Sequence, residues 1–137
     1  MVPAIEQWKA LVGKCRRGSA NGKRHPHQPA VLLCFVDQVS SGNPRLQNWD
    51  DGKADWAKAI KSKNGSGSPE SPITALVNAG VLECSSKLSQ SASSPSARKV
   101  LNEMNPVIGL PEAVWRAILS NPSVKVELVQ FLNAQFD

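Results

Sequence analysis

The chain has 137 residues, 41% of them hydrophobic, and a formal net charge of +5 from 16 Lys and Arg against 11 Asp and Glu. This length fits one domain, expected to span residues 1–137 and to bury a sizeable core. Three widely spaced cysteines argue against a disulfide framework or a zinc ribbon, and the longest apolar run, residues 30–36, is too short to cross a membrane. We therefore expect a cytoplasmic protein with no membrane partner. Its basic surface fits a polyanion, nucleic acid first, the alternative being a basic domain without such a role.

The first half of the chain reads as three helices. Helical spacing of apolar residues predicts a helix from Ala4 to Val12, and a basic, Gly- and Ser-containing loop follows over residues 13–27. A continuous apolar run predicts a second helix from Pro29 to about Val39, buried on most sides, with Cys34 as a small core residue. Residues 50–61 read as a half-exposed amphipathic helix.

A short helix follows the Gly- and Ser-rich loop of residues 63–69. Ser71 is a suitable N-cap, Pro72 fits the first helical position, and Gly80 fits the position just past the end. The spacing therefore predicts a helix of about two turns.

The rest of the chain predicts a strand, a wing and two helices. Residues 81–84 read as a strand, and the Ser-rich residues 85–96 as a β-wing or mobile loop. One scaffold helix begins after Gly109-Leu110-Pro111, and another follows the Asn121-Pro122 break. The predicted fold class is mainly α (α+β): a compact helical domain with a winged-helix-like portion and a short β-hairpin or wing.

The residues that catalysis or metal binding needs do not converge in this sequence. His25 and His27 are the two histidines, and no third or fourth ligand lies near them. Glu83-Cys84-Ser85 lacks the lysine of a carboxylate nuclease core, and no Walker-type loop is present. We therefore expect no catalytic residues, no metal site and no cofactor.

Basic residues form three clusters suited to phosphate contacts, although a solvated face is the alternative for each. Long basic side chains beside the Ser-rich segment could also reach base edges, which makes Arg98 and Lys99 candidate base contacts. The clusters are Lys14, Arg16, Arg17, Lys23 and Arg24; Lys58, Lys61 and Lys63; and Arg98 and Lys99.

Two helix starts differ in chemistry in a way that suggests one shared site. Arg24 precedes the second helix, whereas Pro72 and Ala75 place a ring and a methyl group at the start of the fourth. Helix N-termini attract anions, so this pair suggests a site for an anion that is partly apolar.

These segments resemble the sulfur-binding domain of McrA-type (type IV) restriction endonucleases. The resemblance rests on Arg24-x-Pro26-His27-x-Pro29 before an apolar helix, and on Glu70-Ser71-Pro72-x-x-Ala75-Leu76-x-x-x-Gly80-x-Leu82-Glu83. Gly109-Leu110-Pro111 before a helix and Leu132-x-x-x-Phe136 at the end extend it over nearly the whole chain.

The resemblance implies recognition of duplex DNA that carries phosphorothioate linkages. The implied sulfur pocket comprises Arg24, Ser71, Pro72 and Ala75, and the implied phosphate contacts include Lys23, Arg24 and His25, to which the basic clusters add Arg17 and Lys63. An oxygen placed in such a pocket would lose its water partners, at a cost of roughly 1–3 kcal/mol. The family commonly has aromatic residues around the pocket proline, where this chain has Ser71, Ile73 and Thr74, so one pocket wall is expected to be smaller.

The resemblance also implies a bacterial, cytoplasmic reader that targets a covalently linked HNH nuclease domain to modified DNA. The chain is then expected to be either an excised domain or a stand-alone reader. The rival interpretation is a winged-helix-type binder of unmodified DNA, or a protein-interaction module that uses the helix at residues 72–79. A metal-dependent nuclease is a third class.

Overall fold

The structure, a computed structural model, describes residues 3–14, 19–20, 23–24, 27–63, 68–86, 88 and 94–135, with the backbone alone at residues 3, 19–20, 23–24 and 94–96. The described part of the chain is mainly helical and has two small antiparallel sheets, which confirms the predicted fold class. In chain order its elements are α1 (Pro3–Lys14), β1 (Ser19–Ala20), β2 (Lys23–Arg24), α2 (His27–Ser40), β3 (Leu46–Asn48), α3 (Trp49–Ser62), α4 (Glu70–Asn78), β4 (Glu83–Cys84), α5 (Ser94–Met104), β5 (Val107–Gly109), α6 (Glu112–Ser120) and α7 (Pro122–Asn133).

Helix α2 is the centre of the fold because its apolar run leaves little of the helix exposed. It packs against α3, α4, α6 and α7. Phe35 of α2 stacks on Trp56 of α3 with ring centroids 5.0 Å apart, and Trp49 lies 6.0 Å from Trp56. These large side chains are buried, and aromatic packing of this kind dominates the energetics of a core. The second helix is therefore buried as predicted.

A three-stranded sheet in the order β3-β5-β4 ties the middle of the chain to the α5–α6 connection. Leu46 pairs with Gly109 across β3 and β5, and Glu83 pairs with Gly109 across β4 and β5. The Gly109 backbone lies so close to β3 that a Cβ atom there would be 2.0 Å from the carbonyl oxygen of Arg45. Glycine is therefore required at this position.

Arg45 and Glu83 connect this sheet to the start of α6 through hydrogen bonds. Nη1 of Arg45 donates to Oε2 of Glu83 (2.8 Å) and to the carbonyl oxygen of Leu110 (2.9 Å). The backbone N–H of Glu112 donates to the other carboxylate oxygen of Glu83 (3.3 Å). Hydrogen bonding from Arg45 holds the pKa of Glu83 below its ordinary value.

Three local predictions need correction. Ser71 is not the N-cap of α4, because the helix already begins at Glu70, and Pro72 is its third residue instead of its first. Proline is tolerated there because the first-turn N–H groups have no partner within the helix. The segment of residues 85–96 is not a wing throughout, since α5 begins at Ser94. Cys34 is partly exposed instead of lying in the core.

Other predictions at α4 and beyond are confirmed. Gly80 follows the C-cap Ala79 with φ of +83°, the left-handed conformation that favours glycine. The predicted strand at residues 81–84 is present as the shorter β4.

The antiparallel pairing of β1 with β2 lies within residues 13–27 and corrects the prediction of a loop there. Among the described residues, no helix has the length and apolar character that a membrane span requires.

Candidate nucleic-acid interface

Helix α4 carries three of the four predicted sulfur-pocket residues on and beside its exposed face. At about 100° per residue, Ser71, Ala75 and Asn78 fall on one stripe of the helix. Ser71 and Ala75 are partly exposed and Asn78 is exposed, whereas Pro72 is buried at the edge of this stripe next to Ala75. The structure thus brings Ser71, Pro72 and Ala75 together on one surface.

The helix is fixed in place by an apolar face opposite this stripe. Ile73 and Leu76 are fully buried, and α4 packs against both α2 and α5. Beyond the helix, the indole N–H of Trp8 donates to the carbonyl oxygen of Val81 (2.9 Å), which ties the chain after α4 to α1. A rigid backbone of this kind is what a shallow recognition surface needs.

The other edge of the exposed stripe is polar and leads to α5. Glu70 and Thr74 are one turn apart beside Ser71, and both are buried, with 9% and 1% of their surface exposed. Oε1 of Glu70 accepts a hydrogen bond from Nε of Arg98 (3.3 Å). In the described part of the chain, Oε2 of Glu70 and Oγ1 of Thr74 have no hydrogen-bond partner.

Arg98 therefore lies beside α4, and its contact with DNA stays a prediction. Its side chain remains 56% exposed although its Nε is engaged by Glu70. Lys99 is also exposed on α5. The role of Glu70 escaped sequence reasoning, since an acidic residue at a helix start is commonplace and its partner lies 28 residues away.

The predicted phosphate-binding residues before α2 lie where the description of the chain is incomplete. Lys23 and Arg24 form β2, three residues before α2 begins, and α2 packs against α4. The side chains of Lys23 and Arg24 are outside the described part, as are Arg17 and His25 altogether. The proximity of Arg24 to Pro72 therefore stays a prediction.

The second basic cluster lies towards the end of α3. Lys63 is the C-cap residue of this helix, its backbone N–H donating to the carbonyl oxygen of Ile60 (3.0 Å), and its side chain is exposed together with Lys58 and Lys61. Cations near a helix C-terminus are favoured by its partial negative charge, so helix stability alone can account for these lysines. Because α3 also contacts α5, the basic clusters of these two helices lie on elements that pack against each other.

A separate groove of about 630 Å³ lies between α2, α3 and α7. Cys34 lines this groove, and burial together with Asp55 and Asp37 raises the pKa of its thiol to about 11. The thiol is therefore protonated at neutral pH and is a poor nucleophile. No group of three or more His, Cys, Asp or Glu side chains in the described residues could hold a metal ion.

Comparison with solved structures identifies the fold. The sulfur-binding domain of SprMcrA complexed with phosphorothioated DNA matches with a TM-score of 0.86 at 20% identity, over 96% of this chain and 85% of that chain. The sulfur-binding domain of ScoMcrA complexed with phosphorothioated DNA matches with a TM-score of 0.77 at 24% identity, over 93% and 85%.

A longer relative shows how much of a whole protein this fold occupies. The type IV phosphorothioation-dependent restriction endonuclease ScoMcrA matches with a TM-score of 0.75 at 23% identity, over 93% of this chain and 25% of that chain. A search of curated protein sequences gave no significant match.

The sequence itself matches a family model over residues 5–136, from the first turn of α1 to beyond α7. That model describes the ScoMcrA-like DNA sulfur-binding domain. Since the match covers almost the whole chain, the protein belongs to the ScoMcrA-like family of DNA sulfur-binding domains.

Proposed function

We propose that this domain binds duplex DNA that carries phosphorothioate linkages, with the sulfur against Ser71, Pro72 and Ala75. The observation that carries the proposal is the exposed stripe of α4, where a buried proline adjoins a partly exposed alanine in a chain of this family. Family membership also favours this function over a reader of unmodified DNA or a protein-interaction module.

The chemistry of the surface suits sulfur better than oxygen. A non-bridging sulfur is larger and more polarizable than oxygen and accepts hydrogen bonds more weakly. The Ala75 methyl group and the Pro72 ring offer it dispersion contacts but no hydrogen bond. An oxygen in the same place would give up its bound water without a replacement, which costs roughly 1–3 kcal/mol. Selectivity would then come from packing at α4.

Affinity in this proposal comes from charge. Arg24 would bind the modified phosphate, while Lys23, His25, Arg17 and Lys63 would contact neighbouring phosphates and Arg98 and Lys99 would approach base edges. The net charge of +5 supports such a role. Phosphate contacts act on modified and unmodified DNA alike, which separates them from the sulfur contact.

We assign no catalytic step to this domain. Cutting of DNA would belong to a separate nuclease domain that this domain targets, and the low coverage of the ScoMcrA endonuclease leaves room for further domains in that relative. Incubation of this chain with modified duplex and Mg²⁺ or Mn²⁺ is expected to leave the DNA intact. Appearance of cut product would assign nuclease activity to this chain.

The test of the proposal is binding to two duplexes of equal sequence, one with a phosphorothioate linkage and one without. Fluorescence anisotropy at the same salt concentration gives both Kd values. We expect at least about fivefold tighter binding of the modified duplex, as a difference of about 1 kcal/mol requires. Equal Kd values would refute the proposal.

A further inference from the structure

The ion pair between Glu70 and Arg98 joins the pocket helix α4 to α5. The Glu70 carboxylate is largely buried, and among the described residues Arg98 is the cation that compensates its charge. An unpaired carboxylate in such a place is costly, so the ion pair favours a position of the guanidinium beside α4.

The geometry of the pair leaves the two terminal nitrogens of Arg98 available for a contact with DNA. Oε1 of Glu70 accepts from Nε, at the side of the guanidinium, and the arginine side chain is 56% exposed. No hydrogen bond of its terminal nitrogens is found in the described part of the chain. A guanidinium with both terminal nitrogens available can bind the O6 and N7 atoms of a guanine together.

The Glu70–Arg98 pair lies beside the residues that we propose to contact the sulfur. Glu70 and Thr74 border the exposed stripe on the Ser71 side, opposite Pro72. If the modified phosphate contacts Ser71, Pro72 and Ala75, a guanidinium at this position lies next to the same stretch of DNA. The base pairs within its reach are those near the modified linkage.

We propose that Glu70 is a positioning residue for sequence selectivity: it orients Arg98 towards the base edges beside the modified phosphate. This inference rests on the proposed function. It assigns to the Glu70–Arg98 pair the choice of flanking bases, which sulfur recognition at α4 does not supply. The phosphate contacts carry no sequence information either.

The test uses four phosphorothioated duplexes that differ only in the base pair next to the modified linkage. For the natural chain we expect the four Kd values to span about tenfold or more, the discrimination that one bidentate arginine contact provides. Arg98→Ala should reduce the span to under about threefold. Glu70→Gln, which keeps the shape but removes the charge, should reduce it equally.

A double-mutant cycle separates positioning from independent contributions. In the Arg98→Ala background, Glu70→Gln is expected to cause no further loss of selectivity. The control is Glu112→Gln, because Glu112 accepts from Nε of Arg116 (2.8 Å) through the same pair of atoms in an exposed ion pair within α6. This control should leave the span of Kd values unchanged.

Each outcome is decisive. An unchanged span in Glu70→Gln, additive effects in the double variant, or an equal loss of affinity on all four duplexes in Arg98→Ala would overturn the inference. If Glu70→Gln fails to fold, Glu70→Asp replaces it, since the shorter side chain keeps the charge but loses contact with Nε. The proposed function has its own test: it is refuted if the natural chain binds the modified and the unmodified duplex with equal Kd values.

Discussion

Single side chains on α4 decide between sulfur and oxygen in this account. Pro72 and Ala75 supply surface without hydrogen-bonding groups, and the small Ser71 stands directly before the proline. Ser71 and Ala75 are partly exposed and can be changed without touching the buried face formed by Ile73 and Leu76. Pro72 is buried, so its contribution to binding is measured together with the stability of the variant.

Ala75→Asp should abolish the preference for sulfur. A hydrated carboxylate would replace the methyl group that contacts the sulfur, so the affinity for the phosphorothioated duplex should fall by about tenfold or more and its advantage over the unmodified duplex should be lost. Anisotropy on the modified and unmodified duplexes measures the change. Ala113→Asp introduces the same charge at an exposed position of α6 and is expected to bind like the natural chain.

Pro72→Ala should weaken sulfur selectivity while leaving binding to unmodified DNA nearly the same. In the proposed complex the ring contacts the modified atom and no other part of the DNA, so the ratio of the two Kd values should fall severalfold. Pro122→Ala removes a proline from the exposed first turn of α7 and provides the control. A ratio that stays constant in Pro72→Ala would remove Pro72 from the pocket.

At the scale of elements, helices were more predictable than strands. The apolar spacing of α1, α2 and α3 is visible in the sequence, and the structure extends each helix by one or two residues at each end. Strands β3 and β5 have three residues each, too few for a periodic signal, and they are defined by pairing across more than 50 residues. Helix α5 begins with Ser94 and Pro95, which by themselves are typical of a loop.

Gly109→Ala should destabilise the sheet. Because the added Cβ would meet the Arg45 backbone oxygen at 2.0 Å, the strands must separate, and we expect a loss of about 3 kcal/mol in the free energy of unfolding. Urea denaturation measures it. Gly13→Ala is the control: it lies in α1 with no atom within 4 Å of the new Cβ and should be neutral or slightly stabilising. A Gly109→Ala variant as stable as the natural chain would contradict the close approach of β3 and β5.

The Arg45–Glu83 connection should make stability depend on pH. Since the pKa of Glu83 is lowered in the folded protein from an ordinary value of 4.5, its stabilising effect is present above that value. The effect is lost as the pH falls through the lower folded pKa. Glu83→Gln should therefore be less stable than the natural chain at pH 7, with the difference shrinking towards pH 3. A difference that is the same at both values would contradict the linkage.

At the scale of the whole molecule, charge and packing have separate roles that salt can distinguish. Phosphate contacts release counterions, so raising NaCl from 50 to 200 mM should weaken binding on the order of a hundredfold for about four contacts. The contact of the sulfur with α4 releases no counterions. The ratio of Kd values for modified and unmodified duplex should thus change by less than about twofold, whereas a ratio that collapses with salt would assign the selectivity to charge.

The candidate site was only partly predictable from the sequence. Ser71, Pro72 and Ala75 are close in the chain, so helical spacing alone brings them to one surface. The pairing of Glu70 with Arg98 depends on the packing of α4 against α5, for which the sequence carries no local signal. The packing of α4 against α5 therefore adds the Glu70–Arg98 pair, which we connect with sequence selectivity.

The position of the sulfur on α4 is the central claim, and an NMR comparison tests it most directly. Backbone amide shifts of the ¹⁵N-labelled domain would be recorded in complex with the modified duplex and with the unmodified duplex of the same sequence. The two complexes differ by one atom, so we predict that shift differences concentrate at residues 71–76 and are absent from α6. Differences concentrated in the groove between α2, α3 and α7, with residues 71–76 unchanged, would contradict the account.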